Sequence, residues 1–453
     1  MSEPSPDRTG SGRPRFLAGR RPRNRPGTPL RFAAPRLPPH VWAVIAAVSL
    51  LAYLALAMTR PAQMWWLGDL RVYHAGGTAA LDGGQDLYEQ TVGAARLPFT
   101  YTPWAALGFG PFSLLPLGLA KPLGVVANLL LLYFAAYLAW GLAGVASPRT
   151  RHPASAVTAG VLLWTEPVQE TLRFGQINLL IMCLVLYDFS RPPGDRRVGV
   201  GIGIAAGIKL TPACFVLYLL ATGRIRETLT ALGTFTATVA IGLALLPEAS
   251  MRYWGDLLFL DTSRVGPFEW PGNQSLRGAL ARVLSDPEPS VAVWLPLTAA
   301  VALVGIASAA VLQRRAASGL DERSRSQGEL AGLCTTALTG LLIAPITWSH
   351  HWVWIVPGTV LLVSAGRNVR SPWWRRPALL AGACVLPAVM LAPPAHRVEL
   401  PKAVPTGIIW RVPYRAGREL HLAFPDLLLA NAYVLWGLLM LLVCAVLSVR
   451  VRR

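Results

Sequence analysis

The stretch at residues 121–146, KPLGVVANLLLLYFAAYLAWGLAGVA, contains a single charged residue, Lys121. A helix needs roughly 20 mostly apolar residues to cross the hydrocarbon core of a bilayer. The stretch is therefore long enough to span a membrane. Other long apolar runs lie at 41–59, 228–246, 291–312 and 427–448.

Shorter apolar runs lie between the long ones. Proline and glycine interrupt several of them, which is typical of half-helices that meet at a cavity. Together the runs predict an all-α polytopic membrane protein of roughly 12 transmembrane helices. The run at 101–118 is expected to be re-entrant or interfacial; if it spans, one of the later short segments cannot. The shorter runs are 101–118, 154–166, 177–190, 199–208 with 212–222, 329–344, 351–366 and 377–393.

The composition supports a membrane protein. Of the 453 residues, 53% are hydrophobic and 14% are charged, whereas soluble domains carry about 25% charged residues. A soluble enzyme, a disulfide-rich secreted domain and a disordered chain are therefore excluded as descriptions of the whole sequence. The five cysteines all lie inside apolar runs, where we expect small buried side chains and no disulfides.

The net charge of +19 is distributed as in a membrane protein rather than a nucleic-acid binder. Arginine clusters lie in short segments between apolar runs, which is the positive-inside pattern of cytoplasmic loops in a plasma-membrane protein. Residues 1–39 hold nine arginines against two acids and no cleavable signal. We predict a disordered cytoplasmic tail at 1–39, a membrane domain at 40–449 and a basic cytoplasmic end at 450–453.

Two of the remaining loops are long enough to have structure of their own. Loop 61–100 is expected to form one or two amphipathic helices on the membrane surface. Loop 394–426 is rich in arginine, which suits an anionic glycolipid, although the sequence assigns it no definite role.

Common catalytic motifs are absent from the sequence. It contains no Asp-x-Asp pair, GxxxxGK[ST], HExxH, GxSxG or CxxC. The usual signatures of ATP hydrolysis, zinc proteolysis and serine hydrolysis are therefore missing. We expect neither a metal ion nor a cofactor.

Two ionisable residues beside apolar segments are candidates for chemistry. Asp69 shares a helix face with Tyr73 and suits a general base; the alternative is a solvated aspartate balanced by Arg71. Lys209 lies among apolar residues at 199–222, where a charge is costly and usually functional. It suits an anionic ligand, and the alternative is a lysine that snorkels from a helix end.

Four further residues belong to polar motifs at predicted helix starts. Tyr101, between two prolines, marks a helix entry or an aromatic anchor at the interface. Arg173, Gln176 and Asn178 suit a phosphate at a helix N-terminus, or else cap the helix.

The last two motifs combine aromatic and polar residues. Trp270, Asn273 and Gln274 suit sugar recognition, or else form a turn with a helix cap. His350 and His351 point apart on a helix, so they suit a phosphate or hydroxyls rather than one metal; alternatively, they are interfacial polar residues. Together the six motifs predict one polar cavity for lipid-phosphate chemistry.

The same motifs carry a resemblance over residues 40–445. The order GDLRVYHAGGTAALDGGQDLY, LPFTYTPW, FGQINLL, AAGIKLTP, PGNQSL and WSHHWVW resembles glycosyltransferase family 87. The resemblance implies a GT-C fold with a periplasmic active site and a polyprenyl-phosphate-mannose donor. It also implies inversion to an α-linked product on an envelope glycolipid of the phosphatidylinositol mannoside or lipomannan type.

The resemblance also assigns roles to the candidate residues. The family's catalytic aspartate corresponds to Asp69, which would take the proton from the acceptor hydroxyl. Trp270, Asn273 and Gln274 are expected to contact the acceptor. The donor phosphate and sugar are expected to contact Tyr101, Arg173, Gln176, Asn178, Lys209, His350 and His351.

Three alternatives remain open at this point. A transporter or flippase of a polyprenyl-phosphate or glycolipid would use the same cations without a base. An arabinofuranosyl donor would carry the same polyprenyl-phosphate group as a mannosyl donor. A non-catalytic scaffold for envelope synthesis would need none of these side chains.

Overall fold

The apolar runs of the sequence form helices throughout the computed structural model. The structure describes residues 1–2, 38–192, 194–256, 258–318, 322–367, 382, 385–395 and 403–450. The described residues from 38 onward belong to one unit, Leu37–Arg453. Most of the predicted tail at 1–39, and the end at 451–453, lie outside the described residues.

The helices follow one another closely along the chain. Six of the helices given below begin at a proline or just after one, where the missing amide hydrogen is not needed. The α-helices in chain order are α1 Pro39–Thr59, α2 Pro61–Met64, α3 Gly68–Leu81, α4 Pro103–Ser113, α5 Leu117–Leu142, α6 Pro148–Leu162, α7 Glu166–Phe174, α8 Asn178–Phe189, α9 Val200–Ile208, α10 Cys214–Ala221, α11 Ile225–Leu245, α12 Pro247–Ser250, α13 Leu276–Leu284, α14 Val291–Ala317, α15 Glu322–Ile343, α16 Ile355–Gly366, α17 Phe424–Ala430 and α18 Ala432–Arg450.

Strands and tighter helical turns complete the connections. Two antiparallel pairs of two-residue strands are formed, β1 Thr91–Val92 with β2 Leu97–Pro98, and β3 Pro394–Ala395 with β4 Val404–Pro405. A π-helical turn lies at Met251–Gly255. The 3₁₀ turns are Thr211–Ala213, Leu258–Leu260, Thr262–Arg264, Ser349–Trp354, Ile408–Trp410 and Arg418–Leu420.

Five helices of the described chain are long and apolar enough to cross a membrane. They are α1, α5, α11, α14 and α18. On α5 and α14, Leu130 is 63% exposed and Leu303 is 74% exposed, and such apolar surface suits a lipid environment. The prediction of an all-α membrane protein is confirmed.

The predicted count of roughly 12 spans is not confirmed. The axes of α7 and α8 differ by 116° across the break at residues 175–177. The two helices form a sixth candidate span only if they are counted together as one broken helix. Helix α4 has 11 residues and is only about 17 Å long at 1.5 Å per residue. Because the hydrocarbon core is about 30 Å thick, α4 fits the re-entrant or interfacial alternative.

Other local expectations agree with the structure. Helices α2 and α3 occupy the start of loop 61–100. The chain breaks between α9 and α10, where Lys209 is extended. Cys183, Cys214, Cys334 and Cys444 are free thiols, but only Cys183 is buried and the other three are half-buried. Cys384 lies outside the described residues.

Packing between the helices brings distant parts of the chain together. Helix α3 packs on α4, and α6 packs on both α1 and α5. Helix α9 lies against α11, and α14 against α15. The bent pair α7–α8 contacts the 3₁₀ turn at Ser349–Trp354, which brings the polar motifs of these two chain regions together.

The close contact of α14 with α15 generates a stability prediction. A Cβ atom on Gly305 would overlap the Thr339 side chain, whereas the space around Gly233 on α11 is open. We expect Gly305→Ala to destabilise the protein by about 1–3 kcal/mol through overpacking. Gly233→Ala should leave stability unchanged or slightly raised, because alanine favours helix. Thermal unfolding in detergent measures the stability of both variants. Equal unfolding midpoints would contradict the close contact of α14 with α15.

Candidate active site

The candidate base lies at the start of α3. Leu67, just before the helix, has φ 52° and ψ 41°, and its N–H donates to the Arg173 carbonyl over 2.7 Å. This contact fixes the start of α3 against the end of α7. Asp69 then lies in the first turn of α3, where the helix dipole favours a carboxylate.

A glutamine from the bend between α7 and α8 holds that carboxylate. Gly175 ends α7 with φ 70°, a left-handed conformation that favours glycine. The turn directs Gln176 toward α3, where its Nε2 donates to Asp69 Oδ2 over 2.6 Å. Among the described residues, Asp69 Oδ1 accepts no hydrogen bond and is available to a substrate.

Two tyrosines fix the other end of the same amide. The Tyr73 hydroxyl donates to Gln176 Oε1 over 2.8 Å, and the Tyr101 hydroxyl does so over 3.3 Å. The two hydroxyls lie 2.9 Å apart. The amide therefore has one orientation, with its N–H toward Asp69 and its oxygen toward the phenols.

The environment of Asp69 tunes its acidity. Burial raises the pKa of Asp69 to about 6, while the Gln176 hydrogen bond and the Lys209 ammonium act in the opposite direction. A carboxylate with a pKa near 6 is largely ionised at neutral pH and still basic enough to share a proton in a transition state.

A cation and a histidine lie near Tyr101. Lys209 Nζ lies 5.4 Å from the centroid of the Tyr101 ring and 2.8 Å from His351 Nε2. Because the ammonium can only donate, His351 Nε2 accepts, and the imidazole is neutral with its proton on Nδ1. The remaining ammonium protons can meet an anion.

A cavity of about 50 Å³ begins at this lysine and histidine. Its lining is polar near Lys209 and His351 and largely apolar elsewhere, which suits a phosphate joined to a hydrocarbon chain. The other lining residues are Asn178, Ile181, Thr211, Pro212, Cys214, Phe215, Ala337, Gly340, Leu341, Thr347, Val353 and Trp354.

The segment that carries His351 is held by the loop at 271–276. The Gln274 N–H donates to the Thr347 carbonyl, and the Ser349 N–H donates to the Gly272 carbonyl, both over 2.7 Å. Asn273 and Trp348 face each other as an antiparallel bridge. The backbone of one motif therefore positions the other.

The side chains of Asn273 and Gln274 are fully buried. Asn273 bonds the Phe268 carbonyl and the N–H groups of Ser275 and Thr347. The Gln274 amide donates to two carbonyls and accepts from two N–H groups, and those four partners are Pro271, Ala430, Tyr433 and Val434. All of these bonds are to backbone groups of the protein. The assignment of Asn273 and Gln274 to the acceptor therefore stays a prediction.

The remaining candidates surround this centre. Arg173 pairs with Glu170 at 3.3 Å and donates to the Gln63 carbonyl. Asn178 donates to the His350 carbonyl over 3.0 Å. Trp270 is half-buried, with its ring 6.3 Å from that of Trp348.

The structure thus brings five predicted residues into one continuous site. They are Asp69, Tyr101, Gln176, Lys209 and His351, whose contacts are described above. Arg173, Asn178 and His350 lie directly beside it, whereas Asn273 and Gln274 belong to the loop that supports it.

Sequence reasoning missed the role of Glu166. Its carboxylate is buried and accepts from Ser349 Oγ at 2.6 Å, Trp410 Nε1 at 2.7 Å and the Tyr433 hydroxyl at 3.1 Å. These partners come from three separate regions of the chain. The available signal was an acidic residue before a polar helix start, which does not identify partners so distant in sequence.

No group of three His, Cys, Asp or Glu side chains in the described parts of the chain is arranged to hold a metal ion. The expectation of a reaction without a metal stays a prediction.

The fold and the site define a membrane protein that holds a carboxylate and an ammonium group in one site. The chain belongs to glycosyltransferase family 87, whose sequence model matches residues 99–345. No solved structure gives a significant match.

Two relatives are named as mannosyltransferases. A polyprenol-phosphate-mannose-dependent alpha-(1-2)-phosphatidylinositol pentamannoside mannosyltransferase of Mycobacterium tuberculosis is 38% identical over 307 residues, 67% of each chain. A polyprenol-phosphate-mannose-dependent alpha-(1-2)-phosphatidylinositol mannoside mannosyltransferase of Mycolicibacterium smegmatis is 32% identical over 395 residues, covering 83% of this chain and 86% of the relative.

The contacts of Glu166 generate a second stability prediction. Glu166→Ala removes the acceptor of two buried donors, Ser349 and Tyr433, and of the half-buried Trp410. A buried donor that loses its acceptor costs about 1–3 kcal/mol. We expect a clear fall in the thermal midpoint, with a smaller fall for Glu166→Gln, because its amide oxygen can still accept. Glu248→Ala, an exposed change, is the control. A Glu166→Ala protein as stable as this control would contradict the role.

Proposed function

We propose that the protein transfers mannose from polyprenyl-phosphate-mannose to a phosphatidylinositol mannoside and forms an α-(1-2) linkage. The names of the relatives support the donor, the acceptor and the linkage. The observation that carries the mechanism is that Asp69 and Lys209 belong to one site, linked through Gln176 and Tyr101.

In the proposed reaction the acceptor hydroxyl attacks the anomeric carbon of the donor. Asp69 Oδ1 takes the hydroxyl proton as the new C–O bond forms. The bond from the anomeric carbon to the phosphate oxygen breaks, and its electron pair leaves with polyprenyl phosphate. Attack opposite the leaving group inverts the centre, so a β-linked donor gives an α-linked product.

The leaving phosphate would lie beside Lys209 and His351. The ammonium of Lys209 stabilises the charge that develops on the phosphate oxygen, and a preorganised charge of this kind is a large term in catalysis. The apolar part of the neighbouring cavity would take the first part of the polyprenyl chain. We propose that no metal is required, because this cation supplies the positive charge.

We also propose a GT-C arrangement with the site at the periplasmic face and both termini in the cytoplasm. The arginine clusters between apolar segments support this orientation, because cytoplasmic loops carry an excess of basic residues.

The first test uses purified protein in detergent with labelled polyprenyl-phosphate-mannose, EDTA and phosphatidylinositol mannosides. Asp69→Asn should transfer mannose about 10²–10⁴-fold more slowly than the wild type, which is the usual contribution of a general base. Asp82→Asn, at the exposed end of α3, is the matched control. Full transfer by Asp69→Asn would contradict the role of Asp69 as the base. Transfer only from an arabinosyl donor would show that the donor sugar is arabinose rather than mannose.

The second test is the pH dependence of kcat/KM. Since the base must be ionised and the pKa of Asp69 is about 6, kcat/KM should fall about tenfold per unit well below pH 6. It should fall again above about pH 8, because burial lowers the pKa of the Lys209 ammonium to about 8 and the mechanism needs that ammonium charged. The Lys209 ammonium lowers the pKa of Asp69. Lys209→Gln should therefore move the acid limb to higher pH as well as reduce the rate. An acid limb at the same pH in Lys209→Gln would contradict the electrostatic coupling between Lys209 and Asp69.

A further inference from the structure

Two aromatic side chains lie beside Asp69 and take no part in the mechanism above. Trp66 and Phe174 are half-buried, and their rings meet edge to face with centroids 5.4 Å apart. We call this pair the aromatic shelf. It lies where the start of α3 meets the end of α7. Trp66 directly precedes Leu67 and Phe174 directly follows Arg173, and the backbone hydrogen bond between Leu67 and Arg173 fixes the start of α3.

The backbone around the shelf is strained. Leu67, between Trp66 and Gly68, is a buried leucine in the left-handed region with φ 52°, which costs about 1–2 kcal/mol. A Cβ atom on Gly68 would overlap the Trp66 ring, so the indole lies directly on the residue before Asp69. Strain held by its surroundings is concentrated at functional sites.

A buried polar atom lies next to the same shelf. The His350 imidazole meets the Phe174 ring edge to face at 5.4 Å, and His350 is 6% exposed. Its Nε2 has no hydrogen-bond partner among the described residues. Since buried polar atoms are nearly always paired, this nitrogen points to a ligand that supplies a hydroxyl or another polar group.

We propose that the aromatic shelf and His350 bind the terminal pyranose of the acceptor glycolipid. The C–H face of the sugar would pack on Trp66 and Phe174, and a ring hydroxyl would bond His350 Nε2. The neighbouring hydroxyl would then face Asp69 Oδ1. This inference rests on the proposed transfer reaction, because it assigns the second substrate of the same site.

The direction of the displacement favours the acceptor over the donor sugar. In an inverting reaction the attacking hydroxyl and its base lie opposite the leaving phosphate. Lys209 and His351 line the largely apolar cavity, whereas neither Trp66 nor Phe174 does. The shelf therefore lies outside the cavity proposed for the leaving phosphate, next to the start of α3 that carries Asp69.

The test separates acceptor binding from donor binding. Trp66→Ala should raise the KM for a phosphatidylinositol mannoside by about tenfold, because a binding contact made equally in the ground and transition states appears in KM. The donor KM and the slow hydrolysis of the donor by water should change less than about twofold. Trp66→Tyr should restore most of the acceptor affinity, and His350→Phe, which keeps the ring contact, should weaken it.

Phe424→Ala is the control, since Phe424 is an aromatic residue that is 72% exposed and lies in α17, apart from the site. An unchanged acceptor KM in Trp66→Ala would overturn the proposal. A rise in the donor KM together with loss of donor hydrolysis would also overturn it, because the shelf would then hold the donor mannose.

A binding measurement keeps the test independent of turnover. We would measure the affinity of the donor-free protein for the phosphatidylinositol mannoside by thermophoresis in wild type and Trp66→Ala. If the wild type binds the glycolipid but transfers nothing, the proposed function fails while the shelf is still tested. Weaker binding by Trp66→Ala supports the shelf, and equal binding overturns it.

Discussion

The hydrogen bond from Gln176 to Asp69 is the contact on which the geometry of the site depends. A carboxylate only accepts and the two tyrosine hydroxyls donate to the amide oxygen, so the amide cannot reverse without losing bonds. One carboxylate oxygen is thereby fixed and the other is left for a substrate. The left-handed turn at Gly175 makes this possible, because it directs Gln176 back toward α3.

A second set of contacts holds the opposite side of the site. Glu166 fixes Ser349, two residues before His351, and the backbone of Gly272 and Gln274 pairs with the same segment. The polar residues therefore divide into two groups. Those with complete sets of backbone partners build the frame, while the base and the cation keep atoms available for a ligand.

The sequence predicted the ionisable residues of the site better than their surroundings. Asp69 and Lys209 could be found because each is a charged residue beside an apolar run, where a charge is costly and usually functional. Their connection through Gln176 could not, because no local pattern specifies a contact between residues 107 positions apart. The number of spans was also not predictable, because run length does not show where a helix bends, as at the 116° turn between α7 and α8.

Asp69 and Lys209 carry opposite charges in one site without forming a direct pair. Among the described residues, Asp69 and Lys209 form no direct ion pair. The carboxylate bonds Gln176, and the ammonium lies 2.8 Å from His351 Nε2 and 5.4 Å from the centroid of the Tyr101 ring. A direct pair would favour the ionised carboxylate and lower its pKa further. It would also occupy the atoms that must meet the acceptor hydroxyl and the phosphate. Because each group has other partners, the attraction between them persists and both stay available to their substrates.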